Sequence, residues 1–166
     1  DVTLMENLDL AGTGTQAVTL GAATDAAFAT GVTITTEAAA TSLNLQGALS
    51  GVSINATGTN NDDTLVGGTV VDTLTGGSGD DTITGGAGAD ELSGDAGDDT
   101  FNFASAAELA ADATVDGGAG TDTITMNTAG AGLALINTDF ADVTLMENLD
   151  LAGTGTQAVT LGAATD

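Results

Sequence analysis

Between Gly58 and Asn102 a large apolar residue returns at every ninth position: Leu65, Leu74, Ile83, Leu92 and Phe101. All but Leu65 have a polar residue on both sides. Three residues of polar–apolar–polar alternation predict a short strand with one face buried. The glycine-rich stretches between them predict turns. Laid out in nines, the segment reads GTNNDDTLV, GGTVVDTLT, GGSGDDTIT, GGAGADELS and GDAGDDTFN without a gap. The sixth place of each block is Asp: Asp63, Asp72, Asp81, Asp90 and Asp99. A sixth block, GGAGTDTIT from Gly117 to Thr125, fits in full and adds Asp122 and Ile124. A flexible Gly/Asp linker would have no reason to keep an apolar residue at a fixed ninth place.

Two such turn-and-strand units make one coil, so residues eighteen apart stack on neighbouring coils. That stacking places Asp63 over Asp81, Asp72 over Asp90, and Asp81 over both Asp63 and Asp99. The eighth place points into a narrow core. A tight turn can aim its carbonyls inward only if some residues take left-handed backbone, which glycine adopts without a side-chain penalty. The blocks are not equally good. Gly58–Val66 has Thr59 and Asn61 where glycines belong, and Gly67–Thr75 has Val70 at the fourth place. A β-branched residue there is expected to be strained, which predicts firm sites at Asp81, Asp90 and Asp99 and weaker or distorted ones on the Val70 loop.

The nonapeptide G-G-x-G-x-D-x-U-x resembles the RTX (repeats-in-toxin) calcium-binding family. The resemblance implies an all-β fold: a right-handed parallel β-solenoid, a β-roll with calcium-binding nonapeptide turns and one or two short helical insertions. It also implies several Ca2+ ions. Asp63, Asp72, Asp81, Asp90, Asp99 and Asp122 are the candidate carboxylate ligands. Backbone carbonyls near Gly76, Gly77, Gly79, Gly85, Gly86, Gly88, Gly94, Gly97, Gly117, Gly118 and Gly120 complete the sets, because calcium takes six to eight oxygens from carboxylates and carbonyls.

Charge strengthens the case for a metal. The 166 residues hold 24 acids and no Lys, Arg or His, for a formal charge of −24. Ten of those acids lie between Gly58 and Asn102. No side-chain salt bridge can form, so the counter-charge has to come from solution, and without it the carboxylates repel and oppose compaction. Nucleic acid is excluded as a partner because no residue can neutralise a phosphate. Anionic membrane surfaces are excluded on the same ground, and no apolar run predicts membrane insertion. Cysteine is absent and the aromatics are four Phe, which suits a core of stacked aliphatics.

Outside the nonapeptides the strand rhythm persists as VTL (2–4), NLDL (7–10), AVTL (17–20), VTIT (32–35), SLNL (42–45) and VSIN (52–55). These read as coils of the same solenoid with calcium-free turns across residues 1–57. An antiparallel sandwich is less probable, because the pattern runs into the nonapeptides with no linker. The 58–102 roll is followed by a helical insertion at 103–116, where Ser105 and Glu108 form a capping box predicting a helix over Ala106–Ala111. Asp25 ahead of Ala26–Ala29 is a second, weaker helix start, with Phe28 folded onto the core edge. The sixth nonapeptide (117–125) leads into further coils at 126–141, with strands expected through Leu133–Leu135 and Val143–Leu145. Residues Asp142 to Asp166 then repeat Asp1 to Asp25 letter for letter, at an offset of 141. The segment reads as one unit plus the start of the next, and tandem units make quasi-one-dimensional proteins.

These features predict no enzyme. His, Cys, Lys, Tyr and Arg are missing. Two-carboxylate glycosidase chemistry would usually need aromatic sugar platforms, of which there are none. The expected role is an extracellular structural repeat protein, similar to calcium-dependent S-layer proteins and giant RTX surface proteins. It would build a filament, sheath or S-layer at the cell surface after type I secretion. The expected partners are copies of itself and cell-surface polysaccharide. Alternatives are the stalk of an RTX adhesin and the secretion region of an RTX toxin or secreted enzyme.

Overall fold

The computed structural model describes residues 7–10, 15–20, 32–36, 42–47, 52–127, 134–151 and 158–160. The chain enters through β1 (Asn7–Leu10), β2 (Thr15–Leu20), β3 (Val32–Thr36), β4 (Ser42–Gly47) and β5 (Ile54–Thr57). The nonapeptides supply β6 (Thr64–Val66), β7 (Thr73–Ser78), β8 (Thr82–Thr84), β9 (Glu91–Ala96) and β10 (Thr100–Phe103). Helix α1 (Ala106–Leu109) precedes β11 (Thr114–Asp116) and β12 (Thr123–Met126). The last strands are β13 (Ala134–Ile136), β14 (Val143–Thr144), β15 (Asn148–Asp150) and β16 (Ala158–Thr160).

Alternate strands go to opposite sheets. One seven-stranded sheet runs β1-β3-β5-β7-β9-β11-β14, and the other runs β15-β12-β10-β8-β6-β4-β2. Among the described residues every named pairing is parallel, which makes the fold an all-β parallel solenoid and rules out the antiparallel sandwich. The register is the nonapeptide's own. Ile34, Ala56, Leu74, Leu92 and Val115 follow one another in the first sheet. Leu65, Ile83, Phe101 and Ile124 do so in the second. All nine are buried in one cluster, so each eighth-place residue lies inside, as the nine-residue period requires. Glycine at the turns lets successive coils approach closely. At Gly97 (φ 145°) a β-carbon would strike the carbonyl of Gly79 on the coil before.

Helix α1 bulges from the roll without breaking it. The Ser105 hydroxyl accepts from the Glu108 N–H (3.1 Å), and the Glu108 carboxylate accepts from the Ala104 N–H (2.8 Å). Leu109 plugs into the core, and the helix stops there, two residues short of the Ala111 expected from sequence. On either side of the insertion the core register continues, Leu92 to Val115 and Phe101 to Ile124.

Two expectations need revision. β13 leaves the two main sheets and pairs with β16 instead, and a 3-10 helix at Asn137–Phe140 separates it from β14. Among the described residues β13 is thus no part of the two main sheets, which take up the chain again at Val143. The strand read as VSIN starts two residues later, at Ile54. The VTL strand at 2–4 and the helix expected after Asp25, with Phe28, lie outside the described residues.

Candidate metal centre

The sixth-place aspartates form two buried ladders, one through Asp63, Asp81, Asp99 and Asp122 and the other through Asp72 and Asp90. The backbone N–H of Asp63 donates to Oδ1 of Asp81 (2.7 Å), that of Asp72 to Asp90 (2.8 Å), and that of Asp81 to Asp99 (2.8 Å). The stacking predicted from eighteen-residue spacing is therefore present, and Asp81 belongs to two rungs. Each ladder extends further, the Asp72 series toward Ile54 and the Asp63 series toward Glu147. Ile54 N–H donates to Asp72 Oδ1 (2.7 Å), Asp99 N–H to Asp122 Oδ1 (2.9 Å), and Asp122 N–H to the Glu147 carboxylate (2.8 Å).

One rung escaped the sequence reading. Asp90 N–H donates to Oδ1 of Asp112, twenty-two residues on (3.3 Å). Asp112 is buried and takes the seat that an eighteen-residue coil would have given to residue 108. The helical insertion lengthens that coil and hides the period. The available clue was an acid shortly ahead of a complete block, as Asp63, Asp72, Asp81 and Asp90 stand ahead of the blocks that follow them. Glu147, likewise, is the acid two residues before the core-row position Leu149.

With Oδ1 engaged, each carboxylate has its Oδ2 left, and here the blocks divide. In Gly58–Val66 the Thr59 N–H donates to Asp63 Oδ2, and in Gly67–Thr75 the Gly68 N–H donates to Asp72 Oδ2 (2.6 Å). Neither Thr59 nor Gly68 has positive φ. In the other four blocks the second residue is left-handed: Gly77 (φ 116°), Gly86 (96°), Asp95 (70°) and Gly118 (99°). There the Oδ2 atoms of Asp81, Asp90, Asp99 and Asp122 are buried with no hydrogen-bond partner, as is Oδ2 of Asp112. Reversing φ turns the second-place N–H away from the carboxylate.

This finding corrects the expectation about Val70. That residue is not left-handed and carries no such strain. Its block differs because the N–H of Gly68 caps the aspartate, and replacing Val70 would leave that cap in place.

Carbonyl oxygens converge on the same nooks. A β-carbon at Gly76 would collide with Asp81 Oδ2 and approach the carbonyl of Gly94 on the next coil. At Gly94 it would meet Asp99 Oδ2 and the carbonyl of Gly117, and at Gly117 it would meet Asp122 Oδ2 and the carbonyl of Leu145. Gly85 lies against Asp90 Oδ2. The second-place glycines Gly77, Gly86 and Gly118 rest on the carbonyls of Thr59, Gly68 and Asp95. The fourth-place Gly79, Gly97 and Gly120 are also left-handed, whereas Gly88 is not and sits between Asp90 Oδ1 and the Val70 carbonyl. Among the described residues no three acidic side chains gather around one point. The nooks instead combine one carboxylate oxygen with backbone carbonyls, which are hard donors suited to calcium.

Electrostatics point the same way. Burial pushes Asp81 up to about 7, against the lowering effect of the Asp63 N–H, and the charges of Asp63 and Asp99 add to the rise. Asp112 is pushed up to about 7 by burial, with Asp90 and Glu108 adding to it. Asp72, Asp90, Asp99 and Asp122 are raised too, with burial the largest cause in each. A buried carboxylate oxygen without a donor calls for an explanation, and a bound ion is one. This chain has no Lys, Arg or His to supply the positive charge.

The family described as RTX calcium-binding nonapeptide repeat (4 copies) matches residues 67–101 and 112–125. These stretches are RTX calcium-binding repeats, and the second begins at Asp112, the rung missed from the nine-residue spacing. No curated protein and no solved structure matches the chain.

Proposed function

We infer that the chain is an extracellular, calcium-stabilised structural unit without enzymatic activity, and that copies of it build a surface filament, sheath or S-layer. The observation that carries this reading is the exact recurrence of Asp1–Asp25 at Asp142–Asp166, with β14 and β15 of the second copy joined to the two main sheets. A unit whose sheets run on into its own repeat is suited to building length. RTX repeat proteins are typically secreted, and among the described residues no helix is long and apolar enough to cross a membrane. Cell-surface polysaccharide is a further partner in this reading. In calcium, electron microscopy of a chain with several consecutive units should show thin, straight fibres that shorten in proportion as units are removed. Compact beads joined by slack connectors would overturn the reading.

In the same reading Asp81, Asp90, Asp99 and Asp122 hold the ions, assisted by the carbonyls of Gly94, Gly117 and Leu145, and Asp112 adds a further oxygen. The bound cation supplies positive charge to oxygens that lack a donor. Asp63 and Asp72 contribute less, because the N–H groups of Thr59 and Gly68 already occupy their Oδ2. Calorimetric titration should therefore show Asp99→Asn losing about one calcium per chain while Asp63→Asn keeps the parent stoichiometry. Equal losses from both would contradict this division of the blocks.

A further inference from the structure

The boundary between one repeat unit and the next falls inside a candidate cation nook. Residues Asp142–Asp166 repeat Asp1–Asp25, so the chain from Asp142 onward belongs to the second copy of the unit. The turn from Gly117 to Asp122 belongs to the first. Strand β14 pairs with β11 and β15 with β12, which brings the opening residues of the second copy against that turn. The Val115 N–H donates to the Asp142 carbonyl (2.9 Å), the Gly117 N–H to the Thr144 carbonyl (3.1 Å), and the Asn148 N–H to the Asp122 carbonyl (2.9 Å). The Thr144 hydroxyl donates to Oδ1 of Asp116 (3.0 Å).

Two second-copy residues bring oxygens to the nook. A β-carbon at Gly117 would meet both Asp122 Oδ2 and the Leu145 carbonyl, so these two oxygens flank one α-carbon. Leu145 presents that carbonyl from left-handed backbone (φ 50°), an uncommon and costly conformation for a leucine. The Glu147 carboxylate accepts from the Asp122 N–H (2.8 Å), as Asp122 Oδ1 accepts from the Asp99 N–H one coil earlier (2.9 Å). Asp122 is buried, and its Oδ2 has no hydrogen-bond partner. At Asp81 and Asp99 the carbonyls that face Oδ2 come from Gly94 and Gly117, inside the same unit. At Asp122 the facing carbonyl comes from across the repeat boundary.

We propose that the Asp122 nook is a junction site, in which one calcium ion takes Asp122 Oδ2 from one unit and the Leu145 carbonyl, with the Glu147 carboxylate beside it, from the unit that follows. Carboxylate and carbonyl oxygens are the donors calcium takes. The ions at Asp81 and Asp99 stabilise coils within a unit. The junction ion instead ties consecutive units together, and a tandem array carries one such ion at each boundary. Leu145 and Glu147 therefore serve the unit before them rather than their own. The left-handed Leu145 is a local cost that the shared ion offsets. This inference rests on the calcium reading above and gives the last site of the unit a separate task.

The test uses the whole chain in saturating calcium. Amide hydrogen exchange is followed by mass spectrometry in two segments, 143–150 beyond the boundary and 73–103 in the inner coils. Asp122→Asn keeps an Oδ1 for the Asp99 N–H and removes the charge at the nook. It should bind one calcium fewer in calorimetric titration and quicken exchange in 143–150, while 73–103 keeps the parent rate. At calcium roughly a hundredfold above its Kd, loss of the ion quickens exchange through local opening by up to about a hundredfold. Asp81→Asn should also bind one calcium fewer, yet leave 143–150 near the parent rate. Glu147→Gln keeps an acceptor for the Asp122 N–H, and should weaken the same ion and quicken 143–150 alone. Exchange in 143–150 that ignores Asp122→Asn and Glu147→Gln, or that follows 73–103 in every variant, overturns the junction site alone. Inner coils that exchange at the same rate in calcium and in chelator overturn the calcium reading on which it rests.

Discussion

Chelating calcium at neutral pH and low salt should collapse the β-signal of this chain in circular dichroism and expand its hydrodynamic radius, and returning calcium should restore both. The chain carries a formal charge of −24 with no compensating side chain. At its core edge the Oδ2 atoms of Asp81, Asp90, Asp99, Asp112 and Asp122 are buried without a donor. An uncompensated buried charge costs several kcal/mol even after relaxation, and domains of this size have only about 5–15 kcal/mol of stability to lose. A few such carboxylates are thus enough to unfold the metal-free roll. In the other direction, a ligand at a hundredfold excess over its Kd adds about 2.7 kcal/mol per site, so four sites would add roughly 11 kcal/mol. The metal accounts for a difference as large as the whole stability of the domain. Added monovalent salt should rescue little, because screening acts on exposed charges far more than on buried ones. An unchanged β-spectrum and radius in chelator would sink the prediction.

How far the sequence could be read depends on which physical constraint set each residue. The core rows follow from a period of nine, since an eighth-place residue has only one face to enter. The aspartate rungs at eighteen-residue spacing follow from the same period. The difference between capped and uncapped aspartates did not follow, because it turns on the sign of φ at the second place. Gly68 and Gly77 are the same residue there and take opposite conformations. Val70 looked like the defect because β-branched residues avoid positive φ, but the loop avoids the strain by adopting another backbone and moving the Gly68 N–H onto Asp72. Asp112 was hidden for a different reason: the Ser105 capping box signals the helix correctly, but the insertion lengthens its coil and moves the acid that closes it from eighteen to twenty-two residues beyond Asp90. The departure of β13 from the main sheets had no local sign either. Its Ala-Leu-Ile is as good a strand sequence as those that stay, and only its pairing with β16 reveals the difference.

The metal-free chain should respond to acid in the opposite sense to most proteins, regaining β-structure as pH falls from neutral towards about 4. Asp81 and Asp112 are raised from 3.8 to about 7 in the folded chain, chiefly by burial, and Asp72, Asp90, Asp99 and Asp122 move in the same direction. Between the unfolded value near 4 and the folded value near 7, the folded state binds more protons than the unfolded one. The stability of the metal-free roll therefore falls as pH rises through that window and levels off above it. Protonation replaces each unpartnered anion with a neutral group that has a hydrogen to donate, and it also relieves the repulsion between neighbouring rungs. With calcium bound the sign reverses, since the metal holds the same oxygens deprotonated and protons must displace it. Stability of the loaded roll should fall on acidification. Two pH titrations by circular dichroism, one in chelator and one in excess calcium, should thus slope in opposite directions and converge near the acid end. Low protein concentration keeps association of the nearly neutral acidic form from obscuring the curves. A metal-free chain that gains β-structure as pH rises from 4 to 7 would show that the buried aspartates do not control its folding.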